Sequence, residues 1–174
     1  MIEAVQRREW WKLAIASVVA IELLGGLSGW LSNSGYGNAW FDALQKPSFM
    51  PPGPVFGVVW PMLYALIGIG LAMILAEPHS DLRRLSLILF FAQLALNFAW
   101  SPIFFAGHDI TLAKIVIFAM AALAAAAAGL FFRLRAVAGW LMLPYLGWLV
   151  FAGALTATIE RLNPGESVSL LGFQ

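Results

Sequence analysis

Gln93, Asn97, Trp100 and Phe104 recur at i, i+4, i+7 and i+11, a spacing that gathers them on one face of a helix. They stand in a run without Asp, Glu, Lys or Arg from 85 to 107. Amide side chains in such a run are costly in hydrocarbon unless they face a bundle interior or a ligand. Tyr145, Trp148 and Ala152 share a face in another apolar run, while Trp40 and Trp60 flank a proline-rich stretch. Brought together, these residues would wall a pocket with aromatic rings and two amides, suited to a large, flat, mostly apolar ligand. The same pattern also fits a packed core in which the amides bond across helices. Spacing alone leaves both readings open.

Other chemistry is sparse. Glu22 is the one carboxylate deep in an apolar run, and an ionisable group there is a functional candidate by default. It reads either as a proton-linked site or as a hydrogen-bonded packing residue, with Ser28 too far along the helix to partner it. The two histidines, His79 and His108, fall in separate loops and read as solvated residues, too far apart to share a metal or to supply an axial haem ligand inside a bundle. Zero cysteines exclude disulfides, thiolate metal sites and cysteine nucleophiles. No Ser-His-Asp order, phosphate-cradling glycine loop or paired intramembrane carboxylates are present. A net charge of +1 gives no reason to expect a nucleic-acid partner.

The elements that must position these residues follow from composition. Of 174 residues, 61% are hydrophobic and 11% charged, against about a quarter charged in a soluble domain. Charge-free runs at 23–41, 47–76, 85–107, 115–132 and 136–159, with the apolar stretch before Glu22, predict five spans near the roughly 20 residues that cross hydrocarbon. The expected spans are 12–31, 54–76, 82–105, 110–132 and 137–160. A polar extension, 1–11, precedes this membrane domain of 12–162, and a tail, 163–174, follows it. The apolar N-terminal stretch is too long for a cleavable signal and lacks a clear cleavage site. Between the first two spans, the loop 32–53 carries Pro47, Pro51 and Pro52 and runs into Pro54. Prolines fix φ and push preceding residues out of the helical region, so this loop is rigid and extended, with a short helix around 39–45. Pro61, Pro102 and Pro144 fall inside spans and predict kinks, freeing the carbonyls of Gly57, Phe98 and Trp140. Gly25 and Gly29 would let another helix approach, and Ala124 to Ala128 mark a close-packing face. Short later connections predict antiparallel neighbours. Seven basic residues on the N-terminal side (Arg7, Arg8, Lys12, Arg83, Arg84, Arg133, Arg135) face three on the other (Lys46, Lys114, Arg161), which predicts a cytoplasmic N-terminus and an external loop.

Three stretches carry a resemblance. WFDALQKPSFMPPGPVFGVVWPMLY (Trp40 to Tyr64), QLALNFAWSPIFF (Gln93 to Phe105) and LPYLGWLVFAGAL (Leu143 to Leu155) resemble the translocator protein (TspO/MBR) family, also known as tryptophan-rich sensory proteins or peripheral-type benzodiazepine receptors. The resemblance covers roughly 12–162, in order. It implies a five-helix bundle, usually homodimeric, that binds porphyrins and, in animal members, cholesterol, under a first loop that covers the pocket. By position, Trp60 and Trp148 match tryptophans implicated in porphyrin binding and its photochemical breakdown. Asn97 and Trp100 match pocket positions, and Trp40, Lys46, Pro47, Pro51 and Pro52 match the loop motif. Phe49 replaces the usual loop tryptophan, Leu112 stands where animal members carry another, and the fifth span ends TATIERLN without the tyrosine of the proposed sterol motif, which argues against cholesterol as a ligand.

The resulting expectation is an all-α integral membrane protein of five transmembrane helices, of bacterial type. It would bind a tetrapyrrole such as protoporphyrin IX or haem, as ligand rather than obligatory cofactor, and act as sensor, regulator or carrier. Trp40, Phe49, Trp60, Gln93, Asn97, Trp100, Tyr145 and Trp148 are the expected ligand residues, with Lys46, Pro47, Pro51 and Pro52 gating the loop. Rival readings are a light-dependent porphyrin-degrading enzyme acting through Trp60 and Trp148, and a proton-coupled transporter acting through Glu22. A homodimer, with Ala95 and Ala99 a candidate contact, and an inner membrane are the default surroundings, with an outer membrane the alternative. No metal site is expected.

Overall fold

Backbone N–H and C=O groups in hydrocarbon must be bonded within the chain, and helices do this segment by segment. The computed structural model describes residues 10–167. Its elements are α1 (Trp10–Leu31), α2 (Ala39–Ala43), α3 (Gly53–Leu75), α4 (Asp81–Ser101), α5 (Ile110–Leu134) and α6 (Ala136–Leu162). All but the short α2 are long and apolar enough to span a membrane. Arg7 and Arg8, and the tail beyond 167, lie outside the described residues. The expected spans are met within two residues at each end, with one exception. The third span leaves α-helical winding at Ser101, and Pro102–Ala106 continues it as a π-helical turn closed by Gly107 N–H donating to the Pro102 carbonyl at 2.8 Å.

Local chemistry sets the helix ends. Ser80 Oγ accepts the Arg83 N–H at 3.2 Å, and the Asp109 carboxylate accepts the Leu112 N–H at 2.8 Å, each replacing a missing intrahelical partner. Pro54 falls in the first turn of α3, where its absent N–H costs nothing. At the other end of α3, Arg83 donates to the carbonyls of Ile74 (3.0 Å) and Leu75 (2.9 Å), so the Arg that opens α4 closes α3. The carbonyl of Phe98, which Pro102 cannot bond, accepts Ser28 Oγ–H at 2.6 Å. The proline break in α4 is thereby satisfied from α1.

The helices close a ring in the order α1, α3, α6, α5, α4. Consecutive α4, α5 and α6 pack as neighbours, as the short connections predict. Consecutive α3 and α4 hardly touch, because α1 lies between them and α3 turns to α6 instead. The tightest helix crossing is α1 on α3. A Cβ at Gly68 would lie 2.8 Å from Val18 Cγ2 and 2.9 Å from Val18 Cα. Gly25 serves differently from a helix-approach site: the Tyr64 ring occupies the place a Cβ would take, while a Cβ at Gly29 would meet only Ser34, at 3.8 Å. Ala124, Ala127 and Ala128 are buried as the close-packing face of α5. Outward-facing Leu23, Trp30, Val58, Ile88, Phe118 and Val150 give the bundle an apolar exterior, which makes it an integral membrane protein.

Gly68→Val should overpack the α1–α3 crossing and lower stability by about 1–3 kcal/mol, read as a lower melting temperature in detergent. Gly129→Ala, where no atom lies within 4 Å, should leave the melt unchanged or raise it slightly.

Candidate functional site

The loop 32–53 folds into a braced roof. Asn38 Oδ1 accepts the Phe41 N–H at 3.1 Å and starts α2, while its Nδ2 donates to the carbonyls of Asn33 (3.1 Å) and Phe105 (3.3 Å). Lys46 Nζ donates to the carbonyls of Phe41 (2.6 Å), Asp42 (3.1 Å) and Leu44 (3.2 Å), closing α2 from below and lying over the Phe41 ring. Asn163, at the end of α6, accepts the Gln45 N–H at 2.8 Å and donates to the Gln45 carbonyl at 2.9 Å. Phe41 and Leu44 are sunk among Phe104, Phe105, Ile110 and Ile159. The Tyr36 hydroxyl donates to the Pro51 carbonyl at 3.1 Å.

Beneath the roof lies a cavity of about 500 Å³, walled by all five spanning helices and the loop. From α3 it takes Phe56, Trp60 and Tyr64; from α4 and the π turn, Asn97, Trp100 and Phe104; from α6, Trp148, Ala152 and Thr156. Gly25, Gly26 and Gly29 form the α1 side beside Glu22. Trp60 and Trp148 meet edge to face, ring centroids 6.4 Å apart at 84°. Trp100 stacks on Phe104 at 4.9 Å and donates its indole N–H to the Ala113 carbonyl at 3.1 Å, which fixes its plane. The Trp148 indole N–H is buried with no partner among the described residues.

A hydrogen-bonded chain backs this wall. Tyr64 O–H donates to Asn97 Oδ1 (2.7 Å), Asn97 Nδ2 to the Tyr145 hydroxyl (3.0 Å), and Tyr145 O–H to Gln93 Oε1 (2.7 Å). Both amides bond across helices, Asn97 to Tyr64 and Tyr145 and Gln93 to Tyr145, and of the two only Asn97 reaches the cavity.

Of the expected site residues, Glu22, Trp60, Asn97, Trp100 and Trp148 line the cavity. Gln93 and Tyr145 are fully buried behind it, because their polar atoms turn toward each other. Trp40 stands beyond Phe104, against which it packs, and stacks on His108 at 4.3 Å. His108, expected as a solvated loop residue, is thus half-covered, while His79 is exposed. Phe49 points outward to Phe151, with ring centroids 6.4 Å apart. Lys46, Pro47, Pro51 and Pro52 shape the roof without lining the cavity; Pro47 is buried and Pro52 precedes α3. Tyr64 was overlooked by spacing arguments, although it follows Trp60 by four residues and so shares its face. Among the described residues no three His, Asp or Glu side chains cluster as a metal would require.

Removing Asn97 leaves two buried hydroxyls without their shared partner. Asn97→Ala should destabilise the protein by about 1–3 kcal/mol, visible in the detergent melt, whereas Tyr36→Phe, at the half-exposed roof edge, should change it little.

Comparison with known proteins agrees with this architecture. The chain is 36% identical to the translocator protein of Sus scrofa over 153 residues, 85% of this chain and 90% of that protein. It is 36% identical to the tryptophan-rich protein TspO of Archaeoglobus fulgidus over 149 residues, 86% and 95% of the two chains. It is also 36% identical to protein CrtK of Rhodobacter capsulatus over 129 residues, 74% and 81%. The sequence profile of the TspO/MBR family matches residues 16–162, all five spanning helices with most of α1 among them. With three quarters or more of each relative covered and the family match running from α1 to the end of α6, the chain belongs to the TspO/MBR family.

Proposed function

We propose that this membrane protein binds a tetrapyrrole in the cavity under its first loop and acts as a sensor, regulator or carrier of that ligand. The observation that carries the reading is the cavity wall itself: three indoles, from Trp60, Trp100 and Trp148, around about 500 Å³. Such a wall favours a broad, flat π-system, and its volume falls within the range of small-molecule pockets. Asn97 supplies a polar contact for the ligand's edge. With no His on the wall, a metal-free macrocycle held by stacking fits better than haem. Gln93 and Tyr145 then act by holding Asn97, and Trp40, Phe49, Lys46 and the loop prolines by holding the roof. The relatives' names, translocator protein and tryptophan-rich protein TspO, are compatible with carriage and with sensing. The same reading places the protein as a homodimer in a bacterial inner membrane with its N-terminus in the cytoplasm.

Titration of purified protein with protoporphyrin IX in the dark should quench tryptophan emission saturably. Trp148→Phe, which removes one indole, should weaken that binding by about tenfold, the loss of roughly 1–1.5 kcal/mol of aromatic contact. Unsaturable quenching, or equal affinity in the variant, would count against the site. A second reading draws on the Trp60–Trp148 contact: two adjacent oxidisable rings beside a photosensitiser support light- and oxygen-dependent porphyrin breakdown. Illumination of the loaded protein should then bleach the porphyrin faster than in Trp60→Phe. Equal bleaching would remove the enzymatic reading and leave binding intact.

A further inference from the structure

The cavity contains one acidic group and nothing to balance it. Glu22 lines it near the middle of α1, too far from either end of a 22-residue helix to reach water along the axis. No Lys, Arg or His lines the same wall, and no described residue hydrogen-bonds the Glu22 carboxylate. Its nearest polar neighbour is Tyr64, whose ring rests on Gly25 one turn along α1. That hydroxyl gives its only hydrogen to Asn97, and the chain continues through Tyr145 to Gln93, away from Glu22. Gly26, one turn along α1, has no side chain within 4 Å of the place a Cβ would take, so the cavity keeps open space on this side. Trp60 borders that space, its ring 5.3 Å from Tyr64, and offers a π-face to a cation.

A lone carboxylate at this depth is costly, and a bound positive charge relieves it. We propose that the cavity is a binding site for amphipathic organic cations, with the aromatic body among Trp60 and Trp148 and the positive centre against Glu22. This goes beyond tetrapyrrole binding, in which Glu22 has no assigned part, and adds a ligand class that the carboxylate itself would hold.

The test uses full-length protein in an uncharged detergent, with tetraphenylphosphonium as the cation and triphenylphosphine oxide as its uncharged analogue. Tryptophan emission reads both titrations. The cation should quench saturably and bind tighter than the neutral analogue. Glu22→Gln should weaken the cation at least about tenfold, as loss of a buried charge partner does, and leave the neutral analogue unchanged. Glu22→Asp should restore part of the cation affinity. Equal cation affinity in Glu22→Gln, no preference for the cation in the unaltered protein, or parallel loss of both probes would each overturn the proposal. Protoporphyrin IX titrated into the same preparations reports tetrapyrrole binding separately, so either result can fail without the other.

Discussion

Everything in this fold depends on satisfying backbone carbonyls where no water can do so. Prolines inside three spans break that rule locally, and at Pro102 a side chain from another helix repairs it. Ser28 on α1 reaches the Phe98 carbonyl next to Pro102, and Arg83 on α4 closes the end of α3. Lys46 closes α2 in the same manner from within the loop. The Ser28 bond joins helices 70 residues apart in sequence, so meeting a local backbone requirement there also fixes which helices lie together. The π-helical turn after Pro102 belongs to the same logic: the chain keeps its backbone bonded by widening the coil rather than by ending it.

The site grows out of this scaffold without a separate supporting layer. Asn97 and Trp100, one turn apart on α4, face the cavity with one side and are held from behind by the other. Asn97 is held through Tyr64 and Tyr145, and Trp100 through the Ala113 carbonyl. Gln93, a turn deeper, ends the chain of hydroxyls and amides that ties α3, α4 and α6 together. The amides that look like binding groups in the sequence are thus the cross-links of the bundle.

The spans, their apolar surface and the three indoles of the cavity were legible in the sequence, because charge-free length and helical spacing are direct records of burial. Ring order was not. Nothing local in α3 or α4 says that α1 will lie between them; that follows from Gly68 against Val18, a fit visible only in three dimensions. Side-chain direction was also illegible at Gln93 and Tyr145, whose helical faces were right but whose polar ends meet each other behind the wall. Trp40 and Phe49 were read from a loop, where no period constrains orientation, and they brace rather than line the cavity. Tyr64 carried the signal of its neighbour Trp60 and differs from the indoles only in spending its hydrogen inside the protein.

The perimeter of the cavity is held unequally. Its roof is tied to the bundle by Asn38 and Asn163, so lifting it means breaking bonds to the π turn and to the end of α6 together. Its α1 side is a strip of glycines on a helix with only Ala14 and Ile21 buried. At Gly26, between the Tyr64 ring on Gly25 and Ser34 by Gly29, no side chain stands in the way and only lipid tails would be displaced. In such a vessel the reservoir that governs occupancy is the bilayer, where apolar solutes are already concentrated, and the aqueous side meets the tighter seal.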